Sequence, residues 1–254
     1  MRFLASIGLA TCAFFLTGCL AEQAPKDTSK LKKLGIEDVK VGDGLVAEKG
    51  DLVYMLYEGH LEDGTIFDGN MDPGKNVLYF IMDTGGVIKG WDQGILGMKE
   101  GGERKLEIPP SLGYGPVGSP PKIPPYADLY FTVKLLYVLK KDEEHAYVKE
   151  DTKVGSGPEV KEGDTVEVHY VGKYLNDKEF DNSRTRGSTV KFKVGAKEAI
   201  PGLDTGIRGM KPGGERTLIL PPSLSFGMAG NESVQGGQVV VFDVSLISVN
   251  GKKS

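Results

Sequence analysis

From Thr165 to Tyr170 the chain alternates: Val166, Val168 and Tyr170 share one face, and Thr165, Glu167 and His169 the other. That period of two belongs to a half-buried strand and sends Tyr170 towards a core. The same pattern places Val53, Met55 and Tyr57 together, and it recurs late in the chain at Leu129, Phe131, Val133 and Leu135 and at Val240, Phe242, Val244 and Leu246. Helical spacing occurs at only two points. Ile88, Trp91, Ile95 and Met98 predict a short helix between Ile88 and Met98 with one face on a sheet, and a second is expected between Ile200 and Met210. Pro201 suits a first helical turn, where a missing N–H costs nothing. Gly101-Gly102 and Gly213-Gly214 stand where these helices are expected to stop.

The pattern is written twice. Residues 41–139 and 154–249 are two copies, offset by 113 at Tyr57/Tyr170, Phe67/Phe180 and Asp68/Asp181, by 112 at Ile88/Ile200 and by 111 at Phe131/Phe242. Between Ile88–Gly115 and Ile200–Gly227, 18 of 28 positions are identical without a gap. A unit of this length is too long for a solenoid repeat, so each copy is a complete small domain. The expected class is α+β: two tandem domains, each an antiparallel sheet folded around one short helix. The first is expected over 37–140 and the second over 154–250, joined by a linker at 141–153 in which Lys140–Glu144 reads as a solvated hinge.

Composition narrows the function. The 254 residues give each copy enough chain for its own core. With 31 basic against 35 acidic residues and no basic stripe, nucleic acid is not an expected partner. The 36 glycines, mostly at turn-like points, suit short strands and tight turns. His60, His145 and His169 lie far apart with no metal-ligand spacing, the Ser-Leu pairs after Pro-Pro lack a nucleophile-elbow context, and glycine-rich stretches such as Gly213-Gly214 form no phosphate loop, so no metal, serine nucleophile or nucleotide cofactor is expected.

The N-terminus differs from the rest. Arg2, an apolar run from Phe3 to Leu16 and Thr17-Gly18-Cys19 describe an export signal at 1–18, too short for a comfortable membrane span. Leu16-Thr17-Gly18-Cys19 resembles the lipobox of bacterial lipoproteins, which implies lipidation of Cys19, a membrane anchor and a location in the cell envelope. Leu20 in place of an aspartate favours the outer membrane by the same resemblance. Cys12 lies in the discarded segment, so the mature chain has no partner for a disulfide. Residues 19–36 read as a flexible tether.

Several strings, in order and spacing, resemble the FKBP-type peptidyl-prolyl isomerases over nearly all of both copies. In the first copy they are Tyr57, the run ending at Phe67-Asp68, Val87-Ile88-Lys89-Gly90-Trp91, the block Gly97–Arg104, Leu112–Gly115, Ile123-Pro124-Pro125 and Leu129–Val133. The resemblance implies a pocket walled by Tyr57, Phe67, Trp91, Tyr114 and Phe131. It places Val87 and Ile88 at the rim, with a backbone N–H for the ligand, and Ile123 in a flap. Asp68, expected to be partly desolvated, and Tyr114, whose phenol meets a ligand carbonyl, are the implied catalytic groups. Partners would be proline-containing polypeptides, and the activity prolyl cis-trans isomerisation assisting the folding of exported proteins. The first copy departs from the family in lacking the arginine that accompanies the aspartate, in Ser119 for a flap histidine, and in Leu78 for a pocket phenylalanine.

The second copy keeps Tyr170, Phe180, Asp181, Arg186, Phe192, Ile200 and Phe242 but has Leu203 for Trp91 and Phe226 for Tyr114. Its flap is replaced by Asn231–Gln238. Catalysis is therefore expected mainly in the first domain. Aromatic residues at strand spacing are most often plain core. Asp68 alone would read as a turn residue, Arg186 as a structural partner of Asp181, and the Gly-Met-Lys-x-Gly-Gly-Glu-Arg block as a structural helix-to-strand join. A non-catalytic alternative stands beside the enzyme: a chaperone or docking module for proline-containing or unfolded segments, with the second domain as spacer or dimerisation unit in a weaker variant.

Overall fold

The computed structural model describes residues 25–143 and 147–254; the expected export signal, Cys12, Cys19 and His145 lie outside the described residues. The first domain runs β1 (Gly35–Lys40), β2 (Leu52–His60), β3 (Ile66–Gly69), β4 (Leu78–Ile81), α1 (Lys89–Ile95), β5 (Glu103–Ile108) and β6 (Leu129–Leu139). The second repeats it as β7 (Val148–Lys153), β8 (Thr165–Tyr174), β9 (Glu179–Asn182), β10 (Val190–Lys193), α2 (Pro201–Gly206), β11 (Glu215–Leu220) and β12 (Val240–Val249). Each copy forms a six-stranded sheet, ordered β1-β5-β6-β2-β3 with β4 also on β2, and β7-β11-β12-β8-β10 with β9 also on β8. Every strand pair is antiparallel.

The alternation sorts the faces as expected. Val53, Met55, Leu129, Phe131, Val133 and Leu135 are buried in one core, and Val166, Val168, Val240, Phe242, Val244 and Leu246 in the other. Each helix lies close on its sheet because its face towards the sheet is partly glycine. A Cβ on Gly90 or Gly94 would come within 2.5 Å of Ile108 and 2.6 Å of Leu106, and Gly202 and Gly206 meet Leu220 and Leu218 in the same way. The helices are shorter than their periodicity predicts. They end at Ile95 and Gly206, and the chain reverses at Gly97 and Gly209, both with φ near +80°, before Gly101-Gly102 and Gly213-Gly214 are reached. Met98 and Met210 continue the apolar stripe as buried loop residues.

The shared Arg104 and Arg216 explain the repeated block. The Arg104 guanidinium donates to both Asp38 carboxylate oxygens, at 2.7 and 3.1 Å, and to the Gly94 carbonyl at 2.7 Å. Arg216 does the same with Asp151 and Gly206. Each arginine thus ties the helix C-terminus, with its unsatisfied carbonyls, to the edge strand.

Three boundary expectations change. β7 pairs with β11, so residues 148–153 belong to the second sheet and not to a linker. β1 begins at Gly35, and upstream the Lys30 and Leu31 N–H groups donate to the buried Asp128 carboxylate, so the end of the expected tether is fixed to the first domain. Lys140 is no hinge residue: its ammonium pairs with Asp51 at 2.8 Å and Glu48 at 2.9 Å, because Asp51 is buried and needs a counter-charge. A third apolar cluster bridges the copies. In it Tyr54, Val77 and Leu139 of the first domain are buried together with Val239 of the second.

Candidate active site

The concave side of the first sheet brings together residues far apart in sequence. The rings of Tyr57, Trp91 and Phe131 meet edge to face or tilted: Tyr57–Trp91 centroids are 5.0 Å apart, Trp91–Phe131 5.3 Å and Phe67–Phe131 5.5 Å. Such pairs prefer these geometries because a positive ring edge meets a negative face. Phe67, Trp91, Phe131 and Ile123 are buried, while Tyr57, Val87 and Ile88 are partly buried against the same cluster. Gly59 makes room for the cluster, since a Cβ there would stand 2.6 Å from Phe131 and 2.7 Å from Phe67. Ile88 precedes α1 in an extended conformation; its carbonyl takes the Trp91 N–H, and among the described residues its own N–H meets no acceptor. Ile123 is held by paired backbone bonds with Ser119.

Polar groups stand at the mouth. The Tyr57 hydroxyl donates to Asp68 Oδ2 at 2.7 Å, and the Gly69 N–H to Asp68 Oδ1 at 2.9 Å. Asp68 is exposed, not partly desolvated as expected, because β3 is an edge strand and Asp68 alternates with the inward Phe67. Burial, then the Asp68 hydrogen bond, pushes the Tyr57 phenol well above its ordinary range. Burial and the Asp68 charge also raise Tyr114, which is 40% exposed and presents its hydroxyl at the same mouth. Both phenols are therefore neutral donors across ordinary pH. Among the described residues no basic side chain pairs with Asp68; Lys75 instead pairs with Asp72 at 3.0 Å and donates to the Gly69 carbonyl. A cavity of about 250 Å3 opens beside Asp68, lined by Glu58, Phe67, Met71, Lys75 and Lys122 among others.

Sequence reasoning missed Phe80. It is buried on β4 with its ring 5.9 Å from Trp91, and it forms the floor under the indole. It also corrects a correspondence. Phe80 pairs with Val53 and Phe192 with Val166, whereas Leu78 pairs with Met55 and Val190 with Val168. Phe192 therefore matches Phe80, a residue kept in both copies, and the position of Leu78 is Val190 in the second. Strand register was the missing signal.

The second site is assembled differently. Tyr170 donates to Asp181, whose other oxygen pairs with Arg186, and the guanidinium also lies 5.6 Å from the Tyr170 ring centre. Arg186 thus neutralises Asp181 in the way Lys75 does not neutralise Asp68. Phe226 leans into the slot, its ring 5.8 Å from Phe180 and stacked 6.5 Å from Phe242. Leu203 is buried where Trp91 stands in the first domain, and Ile200 caps α2 as Ile88 caps α1. His60 stacks on Tyr130 and His169 meets the Ser183 hydroxyl, so each has a local partner within its own domain.

The family model for FKBP-type peptidyl-prolyl cis-trans isomerases matches residues 44–136 and 157–247. The chain belongs to this family. Human (Homo sapiens) peptidyl-prolyl cis-trans isomerase FKBP10 is 40% identical over 209 residues, covering 81% of this chain and 35% of that protein. Mouse (Mus musculus) FKBP2 is 54% identical over 97 residues, covering 38% of this chain and 69% of that protein. The chain spans about a third of the length of FKBP10 and FKBP9, so it matches only part of those FKBP relatives. Among solved structures, FkpA from Escherichia coli is 38% identical over 41% of this chain and 48% of that one, with a TM-score of 0.39. The three FKBP domains of wheat FKBP73 are 24% identical over 87% of this chain and 95% of that one, with a TM-score of 0.40.

Proposed function

We propose that this FKBP-family chain is a peptidyl-prolyl cis-trans isomerase acting on exported polypeptides, with turnover mainly in the first domain. The observation that carries the reading is the aromatic slot of Tyr57, Phe67, Trp91 and Phe131 with neutral phenols and a carboxylate at its mouth.

Turning an X–Pro bond means breaking amide resonance, a barrier of roughly 18–20 kcal/mol. Unaided, it takes tens of seconds or longer. The reaction makes no covalent bond, so the enzyme has only to bind the twisted amide better than either planar form. The buried rings receive the pyrrolidine and keep water from the amide, whose planar form is the more polar one. Tyr114 O–H and the Ile88 N–H then hold the flanking carbonyls. Asp68, oriented by Tyr57 and Gly69, sets a negative field beside the rotating carbonyl. In the second domain Phe226 brings no hydroxyl, Leu203 offers less ring surface, and Asp181 is neutralised by Arg186. The N-terminal signal, with lipid on Cys19, would keep the chain in the cell envelope near proteins that fold after export, the outer membrane being favoured by Leu20.

The test is isomerisation of a short X–Pro peptide series by the soluble full chain and by full-chain Trp91→Leu, Asp68→Leu and Tyr114→Phe. Loss of at least tenfold in kcat/KM for Trp91→Leu, with smaller losses for the others, is expected. Wild-type kinetics in all three would refute the first-domain site. A folded wild type with no turnover, yet binding unfolded chains, would favour the chaperone reading, which the altered second slot motivates.

A further inference from the structure

The second domain touches the first through the loop that replaces its flap. Tyr54 lies on the outer face of β2, opposite Val53 and Met55, yet it is fully buried, because Val239 and Leu175 of the second domain cover that face. Its hydroxyl donates to the Gly237 carbonyl at 2.9 Å, the Tyr79 hydroxyl donates to the Gly236 carbonyl at 3.3 Å, and the Gln238 amide donates to the Val77 carbonyl at 3.3 Å. The β8–β9 turn adds two more bonds: Asn176 donates to the Lys75 carbonyl and Lys178 to the Gly74 carbonyl. A buried apolar patch ringed by hydrogen bonds is the composition of a specific interface, although the buried Gln238 Oε1 meets no donor among the described residues.

Gly237 shows that the loop is fitted to this contact. In the first domain the equivalent loop end carries Tyr126, whose N–H donates to the Gly115 carbonyl; Gly237 makes the same bond to Gly227. Both residues have positive φ, 58° and 74°, a conformation that favours glycine but that Tyr126 adopts. A Cβ on Gly237 would in addition stand 2.3 Å from the Tyr79 hydroxyl oxygen, so a side chain there has to displace Tyr79.

The same loop also holds the second slot. Gln235 N–H and the Ser233 carbonyl both bond the Tyr174 hydroxyl, and the Tyr174 ring packs 5.3 Å from Phe180. Gly227, held by Gly237, follows Phe226, the ring that leans into the slot. One short segment is therefore bonded outwards to the first domain and inwards to the pocket walls.

We propose that loop 231–238 is an interdomain latch: docked on Tyr54 and Tyr79, it keeps Phe226 packed into the second slot, and proline-bearing segments enter that slot only when the domains part. The two events are linked: binding weakens docking by the same factor as docking weakens binding, so a change that weakens docking strengthens binding by up to the factor lost. The inference rests on the reading of the slot as a proline-segment site, but docking is measured separately from binding.

Full-chain Gly237→Tyr, which restores the first domain's residue, and full-chain Tyr54→Phe, which removes one hydroxyl and little else, are compared in a Trp91→Leu background. Small-angle scattering reads domain separation. Amide shifts of residues around Tyr170 and Phe226 read binding of an Ala-Leu-Pro-Phe peptide. A larger radius of gyration with at least about fivefold tighter peptide binding in Gly237→Tyr, and a smaller change of the same sign in Tyr54→Phe, is expected. Unchanged affinity once the domains have separated overturns the latch, as does an unchanged radius of gyration in Gly237→Tyr. Absence of peptide shifts in every variant overturns the slot's role too, while turnover of the chain with Trp91 intact shows separately whether the first-domain reading stands.

Discussion

At the scale of single residues, the site depends on protonation states set by burial. Tyr57 and Tyr114 both have phenols raised above their ordinary range, so each still donates where a free tyrosine has begun to ionise, near pH 10. Turnover is therefore expected to stay flat from about pH 7 to pH 9, measured as kcat/KM on one X–Pro peptide; a fall beginning below that would assign the limiting group elsewhere. Tyr57→Phe leaves Asp68, among the described residues, with the Gly69 N–H alone, so the carboxylate loses its fixed orientation. A loss of one such bond corresponds to ~1 kcal/mol and to about a fivefold fall in kcat/KM, with little change in folding stability.

Among the elements, the contacts between helix and sheet set the slot. Arg104 joins α1 to β1 through Gly94 and Asp38 while itself nearly buried, and Arg104→Met would orphan the carbonyl and release the strand. A destabilisation of about 2 kcal/mol is expected from denaturant titration. The arginine also holds the Asp38 carboxyl below its ordinary range, and Arg216 acts likewise on Asp151. A carboxyl with a depressed folded pKa stabilises above its unfolded value, near 3.9, and loses that contribution as pH falls through the folded value. Stability is thus expected to drop below about pH 4, and Arg104→Met should flatten that drop. Gly59→Ala puts a methyl group into the space of Phe67 and Phe131. It is expected to abolish most turnover by splaying the slot, with the aromatic near-ultraviolet circular dichroism altered.

Over the whole molecule, the two copies share a buried face and do not hang as beads on a tether. Tyr54 and Val239 are fully buried where the domains meet, and Lys140 is fastened to Asp51 and Glu48 at the end of β6. Burial of such side chains contributes about 1.5–3 kcal/mol each. Calorimetry of the full chain is therefore expected to give one unfolding transition, which Tyr54→Ala separates into two. Two transitions in the unaltered chain would mean that the interface contributes little.

Much of this was written in the sequence. Alternation at Val166, Val168 and Tyr170 fixed the strands and their inward faces, because side chains on a strand point to opposite sides by geometry alone. The internal repeat fixed the number of domains, and the ordered strings from Tyr57 to Phe131 indicated the slot. Helix ends were less legible, since the apolar stripe runs on through Met98 after Gly97 has already reversed the chain. Phe80 was hidden, because its place under Trp91 depends on the register of β4 against β2, a long-range pairing. The exposure of Asp68 required knowing that β3 is an edge. Most of all, periodicity states which face of β2 Tyr54 occupies but not what lies against that face. Only the docking of one copy on the other decided it, because a surface pattern encodes burial by a neighbour no differently from exposure to water.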